Sequence, residues 1–254
     1  MIQPYTKLYA QLYDRLFPAG EDEINFYRHF LRPPEHGTHR ALECACGTGN
    51  ILLACLERGV IIDGLDCSSD MLDICAGKAA QHKKQVALHC ASMHDFSFAH
   101  RYNTIYIPAC SFMLLIDRMH AQRALENFYA HLLPGGQLLI SLFLPFNETS
   151  QSDTVVRIKK DLHDPITDTR TILYESLRYR PFEQLRIGLY RLETHRDGRL
   201  HQTELYEFAW RRYGAHEFRL MLKAAGFESI TCYGDHALEP AGDHDETIIF
   251  KAVK

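Results

Sequence analysis

The stretch Ala41-Leu42-Glu43-Cys44-Ala45-Cys46-Gly47-Thr48-Gly49-Asn50 begins as a short apolar run and ends in a turn of small residues that opens into a helix. Apolar residues at helical spacing predict that this helix covers residues 50–58 and ends at Gly59. A second apolar run, residues 60–65, ends in Asp66. A glycine turn followed by a strand that ends in an acid is typical of doubly wound folds that hold an adenosine, with backbone N–H groups at the turn and the carboxylate on the ribose.

The residue at the third glycine position of this turn indicates which nucleotide the turn would bind. Asp66 follows Gly49 at close to the roughly 20 residues expected for a nucleotide site. A dinucleotide fingerprint requires Gly or Ala where the helix packs on the strand, but the pattern that begins at Gly47 places Leu52 there. The sequence therefore disfavours NAD, and an NAD-dependent oxidoreductase stays open as the alternative.

Several segments of the chain resemble the class I S-adenosylmethionine-dependent methyltransferases. The first motif of that family has an acid, a small residue and then Gly-x-Gly at the positions of Glu43, Ala45, Gly47 and Gly49. The resemblance continues in order through a ribose-binding segment (residues 65–72), an adenine-edge segment (92–96), the fourth strand with its active-site end (102–112) and the turn into the fifth strand (132–140). Motifs in this order are far more specific than one glycine turn.

The resemblance implies a site for S-adenosylmethionine next to a pocket for a small-molecule acceptor. The cofactor-binding residues that it implies are Tyr13, Glu43, Ala45, Cys46, Gly47, Gly49, Asp66, Cys67, Met71, Ser92, Met93, Pro108 and Ala109. The acceptor-binding residues are Cys110, Phe112 and Arg212. The layout is most similar to glycine N-methyltransferase-like and amino-sugar N-methyltransferase enzymes, so an amine nitrogen is our first choice of acceptor atom and an oxygen the second. A module that binds the cofactor without catalysis is left open.

No motif marks a catalytic side chain. Methyl transfer from a sulfonium requires the nucleophile, the methyl carbon and the sulfur to be aligned, and positioning alone supplies on the order of 7 kcal/mol in favourable cases. The candidate general bases are Tyr13, His94, His163 and Tyr213, and nothing in the sequence selects one of them.

Length and composition are those of an enzyme with a sizeable core, since 46% of the 254 residues are apolar. No apolar run approaches the roughly 20 residues that span a bilayer and no signal-peptide core is present, which predicts a cytoplasmic protein with no membrane partner. A formal net charge of −4 without a Lys/Arg cluster argues against a nucleic-acid partner.

Eight cysteines without a Cys-x-x-Cys pair predict reduced thiols. We predict no metal site, and the only segment that resembles one is Asp-His-Asp-Glu at residues 243–246.

The order of elements predicts an α/β, doubly wound, Rossmann-like, seven-stranded and mostly parallel sheet with an inserted antiparallel β-sheet lid. Residues 1–35 are expected to form an N-terminal helical cap, 36–146 and 214–254 the Rossmann-like core, and 147–213 the lid. In the lid, alternation predicts strands at residues 155–160, 171–179, 184–195 and 200–210, and Asp197-Gly198 predicts a hairpin turn. The lid could also form the surface of a homodimer.

Overall fold

The computed structural model describes residues 5–32, 38–57, 60–144 and 153–254. Its helices are α1 (Lys7–Leu16), α2 (Glu21–Phe30), α3 (Asn50–Cys55), α4 (Ser69–Gln81), α5 (Arg118–His131) and α6 (Ala215–Ala224), with a 3₁₀ turn at Ser111–Leu114. Its strands are β1 (His39–Cys44), β2 (Val60–Asp66), β3 (Ala87–Cys90), β4 (Tyr102–Ile107), β5 (Leu132–Phe143), β6 (Asp153–Asp164), β7 (Thr169–Arg180), β8 (Leu185–Arg196), β9 (Arg199–Arg211), β10 (Ser229–Gly234) and β11 (Thr247–Val253).

The predicted fold class is confirmed by a seven-stranded sheet in the order β10-β11-β5-β4-β1-β2-β3. Strands β1 to β5 pair in parallel, whereas β11 runs antiparallel to both β5 and β10. The chain leaves β1 toward β2 on one side and returns on the other side at β4. Ligands of doubly wound sheets bind beyond the carboxyl ends of the strands at such a switch point, which here lies between β1 and β4.

Helices cover both faces of this sheet because its central strands are buried on both sides, as is usual for parallel sheets. On one face α2, α3 and α4 pack against the strands, and on the other face α5 and α6 do so. Leu52 of α3 is fully buried, and a Cβ added at Gly64 of β2 would lie 2.8 Å from the Leu52 Cδ1 atom. The close approach of helix and strand is thus achieved with a glycine on the strand rather than on the helix.

A second sheet is formed by β6, β7, β8 and β9, which pair antiparallel in chain order. The predicted hairpin turn has φ angles of 50° at Asp197 and 70° at Gly198, as a type I′ turn requires. Helix α1 packs its aromatic face on this sheet, and the Tyr9 ring lies 5.1 Å from the Tyr206 ring between centroids. The sheet therefore has a helical partner of its own, since α1 and not the main core buries this face.

The structure differs from the predicted elements mainly at their ends. Helix α3 stops at Cys55, because Leu56 is already extended, so the predicted continuation to residue 58 is wrong at residues 56 and 57. Strand β5 begins at Leu132, within the segment expected as the turn into the fifth strand, because Leu132 pairs with Tyr102 ahead of Pro134 and Gly135. The predicted helix end at Gly59 and the predicted segment boundaries at 35/36 and 146/147 lie outside the described residues.

The described residues contain no helix that is long and apolar enough to cross a membrane. Over the same residues there is also no group of three or more His, Cys, Asp or Glu side chains that could hold a metal ion. Within residues 243–246, the Asp245 carboxylate accepts the backbone N–H of Gly242 at 2.6 Å and organises the loop.

Candidate functional site

The turn from β1 into α3 is built from residues in the left-handed region, with φ of 58° at Ala45, 53° at Gly47 and 79° at Gly49. The turn is closed by hydrogen bonds from the Cys46 N–H to the Leu65 carbonyl (3.1 Å) and from the Gly49 N–H to the Cys46 carbonyl (2.9 Å). A Cβ added at Gly49 would lie 2.5 Å from the Cys75 Sγ atom. Gly49 is therefore required for the shape of the turn, and it lines none of the cavities described below.

Asp66, at the end of β2, joins two turns of the site. Its Oδ2 atom accepts the Gly47 N–H and its Oδ1 atom accepts the Ser68 N–H, each at 2.8 Å. Ser68, not Asp66, caps α4, since its hydroxyl accepts the Met71 N–H. Burial raises the pKa of the Asp66 carboxyl, and the two N–H donors oppose that shift. A carboxylate held by two backbone donors still has lone pairs for ribose hydroxyl groups.

Glu43, the last acid before the turn, is 1% exposed, and its Oε2 atom has no hydrogen-bond partner. Burial raises the pKa of this carboxyl well above its ordinary value, and the neighbouring Tyr106 hydroxyl opposes that shift. A buried carboxylate oxygen without a donor is costly, and each such group needs an explanation. Glu43 thus offers a binding position that the folded chain does not fill by itself.

The turn after β4 places two consecutive non-glycine residues in the left-handed region, with φ of 52° at Ala109 and 56° at Cys110. The Ala109 N–H donates to Glu23 Oε1 at 3.2 Å, and the Cys110 N–H donates to Ser141 Oγ at 2.9 Å. Such backbone conformations cost of order 1–3 kcal/mol each and persist where the surroundings hold them. Glu23 of α2 and Ser141 of β5 supply that hold.

Two adjoining cavities lie above these turns. The first, which we call the inner cavity, has a volume of about 280 Å³. The predicted site residues that line it are Tyr13, Ala45, Gly47, Asp66, Cys67, Met71, Ser92, Met93, Ala109 and Cys110. The second, which we call the side cavity, has a volume of about 390 Å³. Among the predicted residues, Glu43, Cys46 and Pro108 line only this cavity. Four others line both cavities, namely Tyr13, Ala45, Gly47 and Ala109.

Helix α1 closes over the inner cavity and is tied to α4 and its preceding turn. The Ser68 hydroxyl donates to the Tyr5 carbonyl at 2.6 Å, and the Lys78 ammonium donates to Asp14 at 2.8 Å. Thr48 also donates to Asp14, which links α1 to the β1–α3 turn. Burial raises the pKa of Tyr13 to about 12, so its phenol is protonated at neutral pH and is a hydrogen-bond donor rather than a general base.

The remaining predicted residues lie apart from the inner and side cavities. Phe112 is fully buried between Tyr213 and Phe218, so the predicted contact with the acceptor is replaced by packing in the core. The positive φ angles at Ala109 and Cys110 turn the chain so that Phe112 faces inward. Arg212 lines a third, outer cavity of about 700 Å³ between β7, β9 and α6, and this cavity shares no residue with the other two.

The other three candidate bases do not line the inner or the side cavity, although His94 forms a hydrogen bond with Ser92, which lines the inner cavity. Tyr213 donates to the Leu115 carbonyl at 3.4 Å and lines the outer cavity, and burial raises its pKa. His94 stacks on His120 with ring centroids 4.0 Å apart. His163 lies on β6 with its Nε2 atom 3.0 Å from Asp168 Oδ1, and its side chain is 55% exposed. None of the three lines the inner or the side cavity.

Sequence reasoning missed Glu23, Ser141 and Lys160 as parts of this site. Glu23 and Lys160 line the side cavity, and Ser141 holds the turn after β4. Glu23 stands in an acidic first turn, Glu21-Asp22-Glu23, which is explained by the dipole of α2 alone. Ser141 and Lys160 carry no motif that points to a site, so only the packing of α2, β5 and β6 around the switch point reveals them.

Comparisons with known proteins agree with this geometry. Residues 41–136 match the model of a family described as a methyltransferase domain. The chain is similar to a dTDP-3-amino-3,6-dideoxy-alpha-D-glucopyranose N,N-dimethyltransferase from Streptomyces fradiae, with 33% identity over 54% of this chain and 53% of the relative. It is also similar to a glycine/sarcosine N-methyltransferase from Parasynechococcus marenigrum (strain WH8102), with 25% identity over 92% of this chain and 79% of the relative. The chain spans about half the length of two of the curated relatives that it matches.

Among solved structures, the chain is similar to an S-adenosylmethionine-dependent methyltransferase from Clostridium acetobutylicum ATCC 824. The TM-score is 0.81 at 16% identity, and the alignment covers 96% of this chain and 97% of the other. At this identity the similarity concerns the fold, and it includes the second sheet because nearly all of both chains is aligned.

Proposed function

We propose that this chain, which belongs to the class I S-adenosylmethionine-dependent methyltransferases, transfers a methyl group from S-adenosylmethionine to an amine nitrogen of a small molecule. The observation that carries the proposal is the inner cavity. It gathers residues from the β1–α3 turn, from the ends of β2 and β4 and from the segment after β3 at one carboxyl edge of the sheet.

The residues of the inner and side cavities fit this cofactor. Met71 and Met93 are buried apolar side chains that offer a surface for a purine ring. Asp66 offers a carboxylate to ribose hydroxyls, and the unpaired Oε2 atom of Glu43 suits a cationic group. The bound cofactor would supply an electrophilic methyl group on its sulfonium, and the chain supplies the positioning.

Apart from Asp66, whose carboxylate oxygens accept the Gly47 and Ser68 N–H groups, the residues that line the inner cavity offer no side chain suited to act as a base at neutral pH. Burial raises the pKa of Tyr13 and of Cys110, each to about 12, and no histidine lines the cavity. An amine that arrives uncharged needs no base before the transfer, only alignment with the methyl group and exclusion of water. Leu114, Leu115 and Trp210 form an apolar wall on the side of the second sheet, and we place the acceptor there.

An amine nitrogen as the methyl acceptor is supported by the similarity of this chain to two N-methyltransferases. We also propose that the second sheet, within residues 147–213, acts as the lid of the acceptor pocket, because Trp210 of β9 lines the inner cavity and Lys160 of β6 lines the side cavity. The acceptor role of Arg212 and the formation of a homodimer remain predictions.

Parallel ligand titrations test the proposal. Thermal unfolding of the purified protein is measured with S-adenosylmethionine, S-adenosylhomocysteine and NADH, because a ligand that binds only the folded state stabilises it. We expect stabilisation by the two sulfur nucleotides alone. Incubation with S-adenosylmethionine and a library of amines, alcohols and acids, analysed by mass spectrometry, should then yield a methylated amine. Stabilisation by NADH alone would overturn the cofactor, and inertness with every acceptor would favour a binding module.

A further inference from the structure

The side cavity has two carboxylates in its wall, and only one of them was expected. Glu43 of β1 and Glu23 of α2 both line it, together with Pro108 and Ala109 from the end of β4. Because β1 and β4 are neighbours in the sheet, the two carboxylates flank the switch point. The cavity adjoins the inner cavity through shared residues such as Tyr13 and Gly47, so one ligand can occupy both.

Glu23 is held in place but its charge is not compensated. Its Oε1 atom accepts the Ala109 N–H at 3.2 Å, and its side chain is 17% exposed. One ionisable neighbour is His236, whose Nε2 atom lies 3.6 Å from Glu23 Oε1. Burial lowers the pKa of His236, so this imidazole is neutral near pH 7. No lysine or arginine of the described ranges forms an ion pair with Glu23.

A cation is the ligand that this pair of acids would favour, because a cation beside Glu43 stabilises its ionised form and so opposes the rise in pKa that burial causes. Glu43 is almost fully buried and has an oxygen without a donor, which a ligand ammonium would satisfy through a charge-assisted hydrogen bond. Lys160 lines the same cavity but does not neutralise either acid, and its Nζ atom lies 6.0 Å from the Phe17 ring centroid. A cavity that presents two carboxylates and one lysine matches the two opposite charges of an α-amino acid head group.

We infer that Glu23, together with Glu43, binds the α-ammonium group at the amino acid end of the cofactor. The inference rests on the proposed function. The family resemblance already implies a cofactor-binding role for Glu43. The new assignment is Glu23, which lies in α2 and belongs to none of the family's sequence motifs. The test has to separate this role from two others, which are support of the strained turn at Ala109 and binding of an acceptor that reaches into the side cavity.

Calorimetric titration with two ligands separates these roles. S-adenosylhomocysteine carries the amino acid end, whereas 5′-methylthioadenosine has the same adenosine and thioether sulfur without it. Glu23→Gln keeps an oxygen that can accept the Ala109 N–H but removes the charge. We expect this variant to lose about tenfold in affinity for S-adenosylhomocysteine, which corresponds to about 1.4 kcal/mol, and to bind 5′-methylthioadenosine as the wild type does.

Glu21→Gln is the matched control, because it changes the same charge in the same first turn of α2 at an exposed residue. It should leave both affinities unchanged. Glu23→Ala also removes the oxygen that accepts the Ala109 N–H, so it tests whether Glu23 holds the turn after β4 in place. An equal loss for both ligands in Glu23→Gln would show that Glu23 acts only through the turn, and an unchanged affinity for S-adenosylhomocysteine would overturn the inference.

The wild type separates this result from the proposed function. Binding of 5′-methylthioadenosine and S-adenosylhomocysteine by the wild type supports the cofactor site whatever Glu23 does. If the wild type binds neither ligand, the proposed function fails and the inference fails with it. If Glu23→Gln binds S-adenosylhomocysteine normally but requires a higher concentration of acceptor, Glu23 belongs to the acceptor and not to the cofactor.

Discussion

The two sheets contribute to the site in different ways. At the carboxyl edge of the seven-stranded sheet, the candidate site is shaped by backbone geometry, with left-handed residues at Ala45, Gly47, Gly49, Ala109 and Cys110. The four-stranded sheet contributes side chains from long strands of 12 or 13 residues, such as Trp210 of β9 and Lys160 of β6. Few residue types are accepted where an unusual backbone conformation forms the site, whereas side chains that line a cavity can be substituted to fit a different ligand.

This difference assigns separate tasks to the two sheets. The first sheet would recognise a constant ligand, since turns and a buried acid select the same adenosine in every cycle. The second sheet and α1 would surround the variable ligand, the acceptor, whose shape the sequence does not reveal. Substitutions at the first sheet should therefore affect stability and nucleotide affinity, and substitutions at the second should affect the use of the acceptor.

The largest effect is expected at Gly49. In Gly49→Ala, the added Cβ would meet the Cys75 Sγ atom at 2.5 Å, and the residue would have to keep φ near 79°. We expect the free energy of unfolding to fall by about 2 to 4 kcal/mol in urea denaturation. Gly77→Ala is the control, because Gly77 lies inside α4 with nothing within 4 Å of an added Cβ, and it should be stabilising by about 0.5 to 1 kcal/mol. Equal stabilities of the two variants would contradict the role of the turn.

The next effect is expected at Asp66, where loss of the carboxylate should act on the nucleotide. Asp66→Ala should lower the affinity for S-adenosylhomocysteine tenfold or more, about 1.4 kcal/mol, because it would remove the carboxylate that we propose binds the ribose and would free the Gly47 N–H. Asp73→Ala, an exposed residue of α4, is the control and should bind normally. Isothermal titration measures both. Normal affinity in Asp66→Ala would remove Asp66 from the cofactor site.

The first sheet was largely predictable because its elements are specified by short local patterns. The turn at Gly47 and Gly49 and the acid at Asp66 can each be recognised within a few residues of sequence, and the alternation of strands with helices predicts a mostly parallel sheet. The spacing of Tyr5, Tyr9 and Tyr13 is also a short local pattern of helical period, and α1 lies within the expected N-terminal helical cap. The partner of α1 was not predicted, because the aromatic face of a helix does not indicate which sheet will cover it.

The parts that were missed depend on contacts between distant segments. Phe112 was assigned to the acceptor because it follows β4, yet two left-handed residues before it direct the ring into the core. Glu23 reaches Ala109 across 86 positions of the chain. Lys160 enters the side cavity only because the second sheet lies over the carboxyl edge of the first. No spacing rule connects such positions.

A smaller effect is expected at Trp210, in the second sheet. Its ring stacks on Phe208 with centroids 5.7 Å apart and lines the inner cavity. Trp210→Ala should lower kcat/KM for an acceptor found by screening about fivefold, roughly 1 kcal/mol, while the affinity for S-adenosylhomocysteine stays within about twofold. Trp210→Phe keeps an aromatic wall and should be closer to the wild type. A larger loss in nucleotide affinity than in kcat/KM would show that the two sheets do not divide the work in this way.

The smallest effect is expected at Tyr13, which lies between the two sheets. Its pKa is raised from 10.0 to about 12, mainly by burial, so above pH 10 the unfolded chain releases a proton that the folded chain keeps. The unfolded state then binds fewer protons, and the stabilising contribution of Tyr13, fully present below pH 10, is lost as the pH rises toward 12. At pH 10.5 this loss amounts to about 0.8 kcal/mol.

Chemical denaturation between pH 8 and 10.5 should show a shallower decline in the free energy of unfolding for Tyr13→Phe than for the wild type. Parallel declines would show that the phenol ionises freely in the folded protein, and Tyr13 would then be open to the solvent rather than enclosed between α1 and the two cavities.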